Sequence, residues 1–230
     1  MSPKGEGMYL IDILGPVMVG PSSSHTAGAV KLGRMAARLL GEKPVTADIG
    51  LVGSFAETGR GHGTDRALIA GILDMDCDDT RIPESFDIAR ENGLSFTFRT
   101  VSIKGAHPNT ARIELTGAGG TKLTMEGASL GGGRVSIRRL NGMQVNFSGE
   151  APTLIIQNHD EPGVISKVSG VFSQVSQNIA SMLNMRDKRG GLAVMVLELD
   201  SPVPPELCER IRSMPEIESL MYWDQPLAVI

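Results

Sequence analysis

Cysteine is nearly absent: the chain has only Cys77 and Cys208, one in each half. Two thiols so far apart give no disulfide framework and no paired metal-ligand spacing, so each reads as a reduced core or surface thiol. Clustered cations are lacking too. The 22 Lys and Arg stand against 26 Asp and Glu, a formal net charge of −4, and Arg138-Arg139 is an isolated pair. Phosphate contacts need grouped Lys and Arg, so no nucleic-acid surface is expected. No stretch approaches the ~20 apolar residues that cross a bilayer. The first residues show no basic segment followed by an apolar run of signal-peptide length, and the expectation is a cytoplasmic protein without a membrane partner. The 28 glycines cluster at turns without a period, which speaks against a fibrous or disordered chain.

What is present centres on Gly20 to Ala29, GPSSSHTAGA. Ala27 to Leu40 reads as a helix with apolar positions at Val30, Met35, Ala36, Leu39 and Leu40, so Ser22, Ser23, Ser24, His25 and Thr26 fall at its N-terminus. There the first N–H groups lack intrahelical partners and the dipole is positive, which favours an anion. A single cap needs one hydroxyl. Four hydroxyls and an imidazole exceed that need, and a carboxylate or phosphate site stands beside the plain capping role.

With 230 residues, two domains of ordinary size are expected, and the division is placed at 1–149 and 150–230. In the first, Tyr9 to Met18 is an apolar run, Val45 to Val52 a strand, and Gly53 to Asp65 a loop ending in GRGHGTD. Thr64 or Asp65 caps a helix running to Met75, and Pro83 opens a short helix to Asn92. From Ser95 the period changes to two, through Thr110 to Leu115, Lys122 to Met125, Val135 to Leu140 and Met143 to Phe147. The last two are joined by Asn141-Gly142, a hairpin signal. An antiparallel sheet against helices follows, with loops at Lys104 to Asn109 and Glu126 to Gly133. After a linker at Gly149 to Pro152, the order of strands and helices is βαββαβ, the ferredoxin-like unit. The fold class is therefore α+β in both parts.

Proton transfer directs attention to the four histidines, His25, His62, His107 and His159. His25 and His62 stand out because both lie near helix starts among Gly, Ser and Thr. A nucleophile elbow, a phosphate-binding P-loop and a dinucleotide fingerprint are all missing, and no lysine is singled out for a Schiff base. The residues themselves reach a small-anion site and stop short of the reaction.

GPSSSHTAGA, GSFAETGRGHGTDRAL, HPNT and GASLGGG together resemble the β chain of bacterial iron–sulfur-dependent L-serine dehydratase (L-serine ammonia-lyase). NHDEPGVISKVSGVFSQVSQNIASM resembles an ACT domain, a small-ligand regulatory module. The resemblance implies a heterodimeric lyase of amino-acid catabolism and gluconeogenesis that converts L-serine to pyruvate and ammonia. It implies a 4Fe-4S cluster, and with two distant cysteines here the cluster ligands are expected on a partner α chain. It further implies Ser22, Ser23, Ser24 and Thr26 as donors to the serine carboxylate, and His25 as a proton-transfer or orienting group. His62, Thr64 and Asp65 would form the wall of the same site. Asn109, Ser129 and Gly131 to Gly133 would line it or meet the α chain. In the ACT part, Asn158, Asp160, Pro162 and Gly163 form the loop where related modules bind amino acids or ions. Homodimerisation through that part, without a ligand, stands as the alternative role. A rival from another class is a stand-alone amino-acid sensor related to the extra domain of some phosphoglycerate dehydrogenases. A third reading is a subunit of another iron–sulfur hydro-lyase.

Overall fold

The computed structural model describes residues 17–224. The apolar run expected over Tyr9 to Met18 lies outside the described residues except for Val17 and Met18, which belong to no helix or strand. The Ser-rich stretch forms one turn of π-helix, Ser23–Ala27, that continues into α1, Gly28–Leu40. On α1, Val30, Leu32, Met35, Ala36, Leu39 and Leu40 are buried, the stripe expected of a 3.6-residue period.

Strand β1 (Pro44–Leu51) leads into three helices, α2 (Ser54–His62), α3 (Thr64–Ile72) and α4 (Ser85–Glu91), before β2 (Ser95–Thr100). The sheet is completed by β3 (Thr110–Gly117), β4 (Lys122–Gly131), β5 (Arg134–Leu140) and β6 (Met143–Phe147), in the order β2-β1-β3-β4-β5-β6. As the Asn141-Gly142 signal predicts, β5 and β6 form a hairpin, with φ of 49° and 81° at the two turn residues.

Four expectations need correction. β2 pairs in parallel with β1, because α2 to α4 form the crossover that a parallel pair requires. The expected loop from Gly53 to Asp65 is mostly α2. Its glycines weaken a helix by about 1 kcal/mol each, but the wholly buried Phe55 anchors the first turn, donating its N–H to the carbonyls of Val52 and Pro108. The expected loop from Glu126 to Gly133 is strand as far as Gly131, with register shifts at Glu126/Gly127 and Ser129/Gly131. Bulges of this kind let a glycine-rich stretch stay in a ladder. The helix expected to reach Met75 ends at Ile72, and Asp74 turns the chain at φ 64°.

The second sheet follows the predicted order: β7 (Thr153–His159), α5 (Val164–Gln174), β8 (Ile179–Arg186), β9 (Leu192–Leu199), α6 (Pro205–Arg212) and β10 (Ile217–Trp223). Its strands lie β10-β7-β9-β8, all antiparallel. Side chains alternate between its two faces. Leu154, Ile156, Met195 and Leu197 join the core beneath α5 and α6. Ile155, Val194, Val196 and Trp223 join the core of the first sheet and α1. The Trp223 indole N–H donates to the carbonyl of Gly149 at 2.9 Å, and the Arg38 guanidinium lies 5.7 Å from its ring. Among the described residues no helix is long and apolar enough to cross a membrane.

Helices α1 and α3 touch backbone to backbone. A Cβ added at Gly33 would stand 2.2 Å from the Leu68 carbonyl oxygen, and one at Gly71 would stand 2.0 Å from that of Val30. Neither neighbour is a flexible side-chain end, so the helices must part to admit a methyl. Gly33→Ala and Gly71→Ala should each destabilise the chain by about 2 kcal/mol or more in urea titrations. Gly170→Ala on α5, where a Cβ meets nothing within 4 Å, should instead stabilise it by ~0.5–1 kcal/mol.

Candidate functional site

The π-turn is built around His25. Its backbone N–H donates to the Ser22 hydroxyl oxygen at 3.3 Å, and Thr26 N–H donates to the Ser22 carbonyl at 2.8 Å. The helical bonds begin beyond that point, which leaves the N–H groups of Ser23 and Ser24 as first-turn donors without intrahelical acceptors. Single π-turns recur at functional positions because the wider ring redirects side chains. Here the His25 ring turns inward, to 8% exposure.

Both ring nitrogens of His25 have partners. Nδ1 lies 3.3 Å from Ser22 Oγ, while Nε2 lies 3.2 Å from Ser54 Oγ and 3.0 Å from Thr58 Oγ1. Phe55 packs edge-on at 5.3 Å between ring centroids, and His62 approaches at 5.0 Å, its plane at 89° to that of His25. Burial pulls the His25 pKa below the ordinary histidine value, and the neighbouring His62 lowers it further. His62 differs in every respect: it ends α2, its side chain is exposed, and none of the side-chain hydrogen bonds among the described residues reaches its ring. Burial thus biases His25 toward the neutral imidazole, while the His62 ring lies at the surface.

The remaining predicted residues divide into two groups. Ser23 and Ser24 stay near this surface, and Ser23 Oγ accepts the N–H of Gly132 at 3.3 Å, joining the Ser-rich turn to the glycine turn after β4. Thr26 packs under Gly20, where an added Cβ would meet Thr26 Oγ1 at 2.2 Å. Thr64 and Ser129 are 0% exposed with hydroxyls that meet no partner. Ser129 presses on α1 so closely that a Cβ at Gly28 would fall 2.0 Å from its Oγ. Asn109 supports the same region through its backbone, its carbonyl accepting from Ser129 N–H at 3.0 Å and its N–H donating to His107 Nδ1 at 3.1 Å. Neither Thr64 nor Asp65 caps α3: the N-cap is Gly63, at φ 71°. Asp65 accepts from Arg66 N–H and lines a separate cleft with Glu57, Phe86, Phe98 and Arg99.

Ser54 and Thr58 were missed because their segment reads as a glycine-rich loop. Ser54-x-x-Glu57 is a helix-opening pattern that points to the helix, although the N-cap is Gly53 and Ser54 stands one residue inside with its hydroxyl on His25. In the second sheet, Asn158 is buried with its Nδ2 donating to the His159 carbonyl at 2.7 Å and its Oδ1 unpartnered. Asp160 Oδ2 accepts from Gly190 N–H at 3.0 Å and from Arg186 at 2.9 Å, and these two donors hold its carboxyl below the usual range. Gly163, at φ 92°, precedes α5.

The neutral burial of His25 has a stability consequence whose sign is fixed. Its folded pKa lies below the unfolded value of 6.5, so the unfolded chain binds the extra proton first and stability falls as pH drops through that window. Urea midpoints at pH 7.5 and 5.5 should show a larger loss for the natural chain than for His25→Gln. Equal losses would mean that the folded ring accepts the proton as readily as the unfolded one.

Comparisons with known proteins agree on the family. The model described as "Serine dehydratase beta chain" matches residues 10–92, and the one described as "AHAS small subunit-like ACT domain" matches residues 154–216. The chain is 40% identical to the "Probable L-serine dehydratase, beta chain" of Bacillus subtilis (strain 168), over 90% of this chain and 94% of that protein. It is 36% identical to the "L-serine dehydratase, beta chain" of Peptoniphilus asaccharolyticus, over 92% of this chain and 96% of that one. A D-3-phosphoglycerate dehydrogenase of Bacillus subtilis is 27% identical over 70% of this chain but only 31% of its own length. With two relatives matched over nearly the full length of both partners, the chain belongs to the L-serine dehydratase β-chain family.

Proposed function

We propose that this chain is the substrate-holding subunit of a cytoplasmic iron–sulfur L-serine dehydratase, and that its Ser-rich turn binds the carboxylate of L-serine. The observation that carries the proposal is the meeting of two features. Ser23 and Ser24 offer first-turn N–H groups and hydroxyls at the positive end of a helix, and an exposed imidazole, His62, stands one ring away across His25. The carboxylate docks on Ser23 and Ser24, with the Gly131 to Gly133 turn closing one side. His62 takes the Cα proton. Loss of the C3 hydroxyl as water leaves 2-aminoacrylate, which tautomerises and is hydrolysed to pyruvate and ammonia. His25, with both nitrogens engaged, orients and does not shuttle protons.

The cluster implied by the resemblance finds no ligand set among the described residues. No three His, Cys, Asp or Glu side chains group there as metal ligands. Cys77 donates to the Val17 carbonyl, and burial with Asp78 and Asp76 nearby pushes its thiol up, away from the thiolate that a cluster needs. Cys208 lies on α6, on the face turned to the other core. We assign the cluster ligands to a partner α chain, in keeping with relatives named as β chains.

For the ACT part we assign a regulatory ligand to the 158–163 turn, supported by the buried, unpartnered Oδ1 of Asn158. A stand-alone sensor would match that turn too, but it gives no role to His62.

The test is pyruvate formation from L-serine by this chain alone and with its α chain. The chain alone should form none and the anaerobic complex should turn over. In the complex, His62→Ala should lower kcat by roughly 10²–10⁴-fold with an unchanged circular dichroism spectrum. Turnover by the isolated chain would sink the two-chain proposal, and natural turnover by His62→Ala would remove His62 as the base.

A further inference from the structure

The two hydroxyls on α2 that face His25 have no role in the family resemblance or in the reaction above. Their geometry decides which nitrogen of that ring carries the proton. Thr58 Oγ1 lies 2.8 Å from the Ser54 carbonyl oxygen, to which it donates its only hydrogen. Toward His25 Nε2, 3.0 Å away, Thr58 has only lone pairs left, and a bare Nε2 would set lone pair against lone pair, so Nε2 carries the hydrogen; the Ser54 hydroxyl, 3.2 Å from the same nitrogen, can accept or donate and does not choose between the tautomers. In a neutral imidazole the other nitrogen then accepts. Its partner is the Ser22 hydroxyl at 3.3 Å, whose oxygen in turn receives the His25 backbone N–H.

The result is one directional chain: Ser22 O–H to Nδ1, Nε2–H to Thr58, Thr58 O–H to the Ser54 carbonyl. Such chains strengthen cooperatively where water is excluded, and His25 as a residue is 8% exposed. The chain also commits the only hydrogen of the Ser22 hydroxyl, which removes Ser22 from the side-chain donors open to a ligand and leaves Ser23 and Ser24.

We propose that Thr58 is a positioning residue: by accepting the Nε2 proton it fixes His25 in a single neutral tautomer with Nδ1 turned to Ser22, and so holds the π-turn that presents Ser23 and Ser24. The last link, from the turn to substrate, rests on the proposed serine site; the tautomer does not.

Nitrogen-15 spectra of the full chain at pH 7.5, with His25 assigned by comparison with His25→Gln, should show Nε2 protonated and Nδ1 bare. Thr58→Val, which keeps the shape and leaves at Nε2 only the Ser54 hydroxyl, able to accept or donate, should abolish the single tautomer, and Thr58→Ser should restore it. A protonated Nδ1 in the natural chain, or a Thr58→Val spectrum identical to the natural one, overturns the proposal. In the complex with the α chain, Thr58→Val should raise KM for L-serine roughly tenfold, the worth of about one net hydrogen bond, with kcat within about threefold and rescue by Thr58→Ser. An unchanged KM overturns the positioning role. A natural complex inert toward L-serine sinks the serine site instead, and the spectra still decide the tautomer.

Discussion

Everything at the site depends on how closely α1 can lie against α3. Gly33 and Gly71 bring the two backbones to distances that no side chain tolerates, and that contact sets where the first turn of α1 can be. α3 follows α2 after the single residue Gly63, so placing α1 on α3 also places the end of α2. His25 at the head of α1 and His62 at the end of α2 thereby come within 5.0 Å, although 36 residues separate them in sequence. The same approach recurs where Gly28 admits Ser129 from β4, so helix and sheet also meet at the π-turn.

At its other end α1 carries the second sheet. Arg38 covers the ring of Trp223, whose indole N–H is bound by the Gly149 carbonyl, and the face of β7 and β9 turned away from α5 and α6 supplies Ile155, Val194 and Val196 to the same core. A ferredoxin-like sheet with helices on one face leaves the other face to be covered. Here α1 and the first sheet cover it. One helix thus has the Ser-rich turn at one end and the second sheet packed on the other.

Local period and punctuation made much of this legible. The α1 stripe, the Asn141-Gly142 hairpin and the βαββαβ order are written in residues that dictate φ or face, and tertiary context had nothing to override. Two of the misses share one physical cause. α2 and the far end of β4 are rich in glycine, which by propensity reads as loop, and each is held by contacts that a linear pattern does not carry. For α2 the anchor is buried Phe55 with carbonyls from Val52 and Pro108; for β4 it is the ladder to β3 and β5. Ser54 and Thr58 were hidden by the first of these misses, while His25 and His62 were visible because Ser, Thr and Gly surround them.

The sequence presents three adjacent serines as equivalents, and the structure separates them. Ser22 is spent within the chain, its oxygen on the His25 N–H and its hydrogen on Nδ1. Ser23 gives a lone pair to Gly132 and keeps its hydrogen, and Ser24 has no partner among the described side-chain hydrogen bonds. A carboxylate needs donors, and donors remain only where a hydroxyl hydrogen or a first-turn N–H is uncommitted. The histidines are separated by the same logic: both nitrogens of the buried His25 ring are engaged and burial disfavours its charged form, whereas His62 lies exposed at the end of α2. A buried hydrogen-bond chain on one side and uncommitted donors on the other follow from one turn of π-helix, which directs His25 inward and leaves Ser23 and Ser24 outside.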